Sequence, residues 1–250
     1  MTRVGVITQA RMTSSRLPGK VLLEAGGKSM LAHHVRRLQA AGLDVYVATT
    51  TNEIDSPIVQ AANELGCQVF RGAEDDVLSR YAGAVREFEL DVVVRVTSDC
   101  PLIDGRLVRG GVELFLELGD PDAFVSNTLD RTYPRGLDFE VMSGEKLLAA
   151  DRSARKASQR EHVTPWLYAE GGTHVHQITR HADASDLRIT LDTEDDFALI
   201  RELFNSHDGA SLDGEGLIDL LRGLPELAGV NSDVQQKPVE ASVLDARPGS

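Results

Sequence analysis

The apolar positions fall into two alternating rhythms. Residues 4–7, 45–49 and 92–96 are short, continuous, β-branched runs bounded by polar residues, and they predict buried strands. Between them, apolar residues recur at three- and four-residue spacing. Met30, Leu31, His34, Val35 and Leu38 form one such set, Ile58, Val59, Ala62 and Leu65 a second, and Leu78, Tyr81, Ala82 and Val85 a third. These predict amphipathic helices. Apolar strands alternating with such helices imply an α/β fold, a parallel sheet covered on both faces.

Further along, residues 104–118 predict a helix. Residues 137–141 and 174–178 alternate and predict strands of a mixed section. Residues 143–150 predict a helix capped by Ser143. Residues 187–191 predict a strand. Thr193 then opens a helix through Phe204, its early acids suited to the helix dipole. Residues 231–250 are polar, aperiodic and proline-containing, and predict a flexible tail behind one domain of residues 1–230.

Composition narrows the function. The 250 residues can bury a full core without disulfides. With 26 basic and 39 acidic residues the net charge is −13, which disfavours nucleic acid and anionic membranes as partners. No apolar run reaches the roughly 18 residues of a membrane span. The first strand follows the N-terminus directly, so no signal peptide is expected. Two cysteines, Cys67 and Cys100, point to reduced thiols and a cytoplasmic protein.

Common nucleotide motifs fail. Gly27-Lys28-Ser29 ends like a phosphate-binding loop, but Leu22 stands where its first glycine is required. No Gly-x-Gly-x-x-Gly follows the first strand, and no Gly-x-Ser-x-Gly is present. His174 and His176 share a strand face but lack an evident third ligand. Cys100 reads as a packed thiol before a nucleophile.

Four constellations carry chemistry. The segment from Gln9 to Lys20 follows the first strand, where open α/β sheets bind ligands. It concentrates Arg11, Arg16 and Lys20, adds the hydroxyls of Ser14 and Ser15, and turns at Pro18-Gly19. Forked guanidinium bonds and a point-charge ammonium suit a polyphosphate. Thr97-Ser98-Asp99 follows the third strand and so lies at the same sheet edge. Asp192 follows the 187–191 segment, and with Asp99 could share one Mg²⁺. The fourth patch, Tyr133, Arg135, Asp138 and Glu140 with Arg160, Glu161 and His162, suits a polar, anionic second substrate or else a salt-bridge network.

These motifs carry a resemblance. QARMTSSRLPGK (9–20) resembles the signature of the cytidylyltransferases that make CMP-activated acid sugars, among them the CMP-Kdo and CMP-sialic acid synthetases. The match is closer still to the spore coat polysaccharide biosynthesis protein F subgroup. It extends through GAEDDVLSRY (72–81), VTSDCPLID (96–104), YPRGLDFEV (133–141), REHVTPWLY (160–168) and RITLDTEDDF (188–197). The resemblance implies a nucleotide-diphospho-sugar transferase fold, a three-layer α/β/α sandwich with a mixed, mainly parallel sheet, commonly dimeric. It implies transfer of CMP from CTP to a small acidic acceptor with release of pyrophosphate and Mg²⁺ as cofactor. By the same resemblance Gln9, Ala10, Arg11, Ser14, Arg16, Lys20, Arg80 and Thr97 would bind the nucleotide. Lys20, Arg16 and Asp99 would be catalytic, and Asp99 and Asp192 would ligate the metal. Thr97 departs from the glutamine common in CMP-Kdo synthetases. The 133–140 and 160–162 patches would meet the acceptor, with His162 a candidate proton acceptor or an orienting group for Glu161. Alternatives are a related-fold glycosyltransferase, a transferase for another nucleotide, and an inactive nucleotide-binding subunit.

Overall fold

The structure is a computed structural model that describes residues 2–235. Its main sheet has seven strands. These are β1 (Val4–Gln9), β4 (Val45–Thr50), β5 (Gln68–Gly72), β6 (Val92–Thr97), β7 (Ala123–Ser126), β8 (Glu140–Ser143) and β9 (His174–Gln177). A small hairpin of β2 (Glu24–Ala25) and β3 (Lys28–Ser29) stands apart. The order across the main sheet is β5-β4-β1-β6-β8-β7-β9. β8 runs against both of its neighbours, and every other described pairing in this sheet is parallel. The sheet is therefore mixed and mainly parallel, as the strand and helix rhythm implied.

Each central strand alternates between two cores. Val6, Val47, Val94 and Val141 face α1 (Met30–Ala40), α2 (Ser56–Glu64) and α4 (Gly105–Leu118) through Leu31, Leu38, Ile58, Val108 and Phe115. Ile7, Ala48, Val93, Phe124 and Met142 face α3 (Val77–Glu87), α5 (Gly144–Ser153) and α7 (Pro165–Ala169), with α6 (Ala157–His162) packed against α3 and α7. Full burial of such side chains stabilises by roughly 1.5–3 kcal/mol each, and it fixes strand register because a one-residue slip would exchange the two faces. A third cluster joins Leu17, Leu102 and Leu137 to α8 (Glu194–Ser206) and α9 (Gly214–Gly223), with α10 (Pro225–Ala228) beside it.

Two expectations are corrected. Residues 187–191 do not join the sheet. Leu187, Ile189 and Leu191 alternate because they fill the third cluster, and the backbone meets loops: Ile189 N–H donates to the Arg135 carbonyl (2.7 Å) and Leu191 N–H to that of Asp99 (2.7 Å). Asn231, expected to begin a free tail, is 2% exposed and bonded into the core. The rest of that expected tail, residues 236–250, lies outside the described residues.

Four parallel strands end on one edge, at Gln9, Thr50, Gly72 and Thr97. β1 connects onward to β4 on one side, while β6 returns to its other side. The crevice between β1 and β6 is the switch point at which open α/β sheets bind ligands.

Candidate active site

The loop after β1 is built to face that crevice. Gly19 adopts φ 70°, a left-handed turn that glycine accepts without strain, and its N–H closes the loop on the Met12 carbonyl (2.9 Å). The loop is pinned outward as well. Met12 N–H donates to the buried Asp55 (2.7 Å), and Thr13 Oγ1 donates to Glu74 (2.6 Å). A short 3-10 turn, Lys20–Leu22, then carries Lys20 inward.

Lys20 spends all three of its donors there. Its Nζ lies 3.0 Å from Asp99 Oδ2, 2.8 Å from Asp192 Oδ1 and 2.7 Å from the Leu191 carbonyl. Burial pulls the ammonium's pKa down, but the two carboxylates outweigh it and hold the pKa above its ordinary value. Burial likewise pushes Asp99 up. The Lys20 charge, with hydrogen bonds from Thr97, Lys20 and Cys100, overcomes that and brings Asp99 down to about 2. Both groups are therefore ionised at neutral pH. Arg16 adds a second cation, its NH2 2.9 Å from Asp192 Oδ2. Arg188 adds a third at the same oxygen (2.9 Å).

The other residues expected to meet a nucleotide surround this cluster unequally. Gln9 and Thr97 are register partners on neighbouring strands, and Gln9 Oε1 is buried without a hydrogen-bond partner among the described residues. Ala10 is buried, with its N–H on the Ala48 carbonyl (3.1 Å). Arg11 is exposed and Ser14 half-buried on the loop. Arg80 does not project freely. It is 2% exposed, and its guanidinium donates to the carbonyls of Ala73 and Glu74, so it shapes the loop that anchors Thr13.

The fourth patch separates in space. Glu140 is buried, accepting from Arg95 NH1 (2.6 Å) and Thr164 Oγ1 (2.9 Å), while Arg95 lies over the Tyr81 ring at 5.9 Å. Asp138 pairs with Arg131. Arg135 is half-buried, its pKa lowered by burial and then by the neighbouring Arg131 charge. Tyr133 turns toward α9, where burial and then Glu215 raise its hydroxyl. Glu161 is exposed and His162 half-buried at the end of α6. Arg160 takes the salt-bridge alternative that the sequence left open: its guanidinium binds Asp76 (2.7 Å) and Asp151 (2.7 Å) and ties α6 to the cap of α3 and to α5.

Residues 5–212 match the cytidylyltransferase family. The chain belongs to that family. It is 36% identical over 242 residues to an uncharacterised protein of Methanocaldococcus jannaschii, covering 95% of this chain and 97% of the other. It is 28% identical to the spore coat polysaccharide biosynthesis protein SpsF of Bacillus subtilis, covering 91% and 98%. A solved cytidylyltransferase from Leptospira borgpetersenii superposes with a TM-score of 0.87 at 30% identity, covering 95% of this chain and all of the other. The resemblance read from the motifs is thus met at the level of family, fold and enzyme class.

In this cytidylyltransferase the remaining sequence candidates are quiet. Burial pushes the Cys100 thiol well up, with Asp99 adding to it, so the group stays protonated and packed. His174 is exposed and bonded to Asp120 (2.7 Å), and no cluster of three or more metal-type side chains occurs among the described residues. The chemistry of Asp99 and Asp192 still fits a hard cation, because both carboxylates converge on one positive point, the Lys20 ammonium. Sequence reasoning passed over Asp55, Arg188, Asp196 and Asn231. Arg188 and Asp196 lie inside a quoted motif, but their partners are reached only through the fold.

No helix among the described residues is long and apolar enough to cross a membrane.

Proposed function

We propose that this cytidylyltransferase transfers CMP from CTP to an acidic sugar or a similar small acid and releases pyrophosphate. The observation that carries the reading is the convergence of Lys20, Arg16, Asp99 and Asp192 on the crevice between β1 and β6. The triphosphate lies over the 9–20 loop, and an acceptor oxygen attacks the α-phosphorus in line. The protein's work is positioning and charge stabilisation. Lys20 and Arg16 exchange their carboxylate partners for phosphate oxygens and stabilise the departing pyrophosphate. Asp99 and Asp192 would hold Mg²⁺, which supplies Lewis-acid neutralisation of phosphate charge when bound.

Gln9, Ala10, Arg11, Ser14 and Thr97 line the nucleotide side, with Arg80 supporting the wall behind. Tyr133, Arg135 and Asp138, with Glu161 and His162 from α6, are assigned to the acceptor, while Glu140 and Arg160 brace that wall through Arg95, Thr164, Asp76 and Asp151. Arg135 supports an anionic acceptor best, since its guanidinium sits among the charges of Arg131 and Arg188 with Asp138 as the nearby acid. The catalytic domain extends through at least Asn231. The resemblance supports a homodimer, and the two free thiols suit the reducing cytoplasm.

The test is pyrophosphate release from CTP and Mg²⁺ across a panel of 2-keto acid sugars, phosphonates and neutral sugars. Release with at least one acidic acceptor is expected. Release with neutral sugars alone would refute the acceptor class.

A further inference from the structure

Among the described residues three cations hold Asp192, and they differ in what else holds them. Lys20 is bound to two carboxylates and one carbonyl. Arg16 donates to Asp192 and, at 3.3 Å, to the Gln235 carbonyl, and it remains 27% exposed. Arg188 is different. While NH2 holds Asp192, its Nε lies 2.8 Å from Asp196 Oδ1 and NH2 also lies 2.9 Å from Asp196 Oδ2. Asp196 is wholly buried. It accepts further from the N–H groups of Asp192 (2.9 Å) and Thr193 (3.1 Å) and from Asn231 Nδ2 (2.7 Å). Asn231 Nδ2 also donates to the Arg188 carbonyl (3.1 Å).

We infer that Arg188 is a positioning residue: it keeps Asp192 in place when Lys20 and Arg16 leave it for phosphate, and Asp196 and Asn231 lock Arg188 for that task. The inference rests on the CTP chemistry proposed above. Before a metal joins it, a carboxylate that lost every cationic partner to an entering polyphosphate would face that polyanion unshielded. It would also compete to keep the cations. A partner that cannot leave solves both problems. The planar guanidinium can do so because its fork reaches two carboxylates at once, which a lysine ammonium cannot match in geometry. The lock draws on the end of the described chain, so the turn at Gly229–Asn231 acts on the site without touching it.

The test compares the full chain with Arg188→Lys, Asn231→Ala and a control, Arg222→Ala. Arg222 pairs with Asp186 (2.6 Å) on the surface near the same C-terminal unit and touches none of the relay. For each protein one measures Tm, the Kd for CTP without metal, and kcat and KM with Mg²⁺. Arg188→Lys and Asn231→Ala should lower kcat about tenfold or more and weaken metal-free CTP binding several-fold, the size expected when a supporting partner of a ligating carboxylate is lost. Arg222→Ala should lose Tm alone. If Arg188→Lys does not fold, Asn231→Ala still decides. Wild-type kcat and CTP affinity in the relay variants, with only Tm reduced, would overturn the inference while leaving the CTP reading intact. A wild-type chain that binds no CTP would overturn both.

Discussion

Lys20 and Asp99 show how far single residues could be read from the sequence. A cation-rich loop after one strand and an acid after a parallel strand must share an edge, so their place in one site was legible before any fold was drawn, while their direct ion pair was not. Arg160 was only half legible, because its type and motif fit an acceptor clamp and a salt bridge alike, and only the fold shows its donors on Asp76 and Asp151. Asp196 and Asn231, 35 positions apart, carried no local sign of their bond. Lys20→Ala and Asp99→Asn should each cut turnover by about 10²–10³, the usual cost of one preorganised charge contact. Steady-state pyrophosphate release checks this, and near-normal rates would remove these residues from the chemistry. His34 makes a pH prediction. It is fully buried, its Nδ1 is 2.8 Å from the Cys100 carbonyl beneath Asp99, and burial lowers its pKa to about 4. The unfolded chain then binds more protons than the folded one between about pH 6.5 and 4. Stability is fully present above that window and falls through it as pH drops, with a slope approaching ~1.4 kcal/mol per pH unit from this group. Denaturant midpoints of wild type and His34→Gln across that range should differ in slope, and parallel curves would refute the assignment.

Helices with a cap and a clean apolar stripe were the most legible elements. Ser143 caps α5 and Thr193 caps α8 as their sequences indicated. β5 was passed over because it lies at a sheet edge and is only half-buried, so its pattern is weak. The 187–191 segment misled for the opposite reason, since alternating burial arises wherever an extended chain borders a core, with or without strand partners. One acid joins two elements in a way the sequence half showed. Asp104 Oδ1 caps α4 by accepting from Arg106 (2.8 Å) and Leu107 (3.2 Å), and Oδ2 accepts from Gly214 at the start of α9 (2.8 Å). A single cap is worth about 1 kcal/mol. Asp104→Ala should cost about 2 kcal/mol in denaturant titration, because both helix starts lose a donor's partner. A loss below about 0.5 kcal/mol would mean that water replaces the shared cap.

Across the whole molecule, an excess of acids coexists with a local concentration of cations. The net charge is −13, yet Arg16, Lys20 and Arg188 gather at one sheet edge, neutralised there by Asp99, Asp192 and Asp196. Such a site discriminates by local geometry, since the global field repels anions. The central claim is that this edge binds CTP. Thermal unfolding should therefore be followed with CTP, UTP, GTP and ATP, each with and without Mg²⁺. A ligand at about a hundred times its Kd adds about 2.7 kcal/mol of stability, which for a chain of this size raises Tm by roughly 5–10 °C. The account predicts such a rise with CTP, smaller rises with the other nucleotides, and its loss in Lys20→Ala. Equal shifts with all four nucleotides, or a CTP shift that survives in Lys20→Ala, would contradict it.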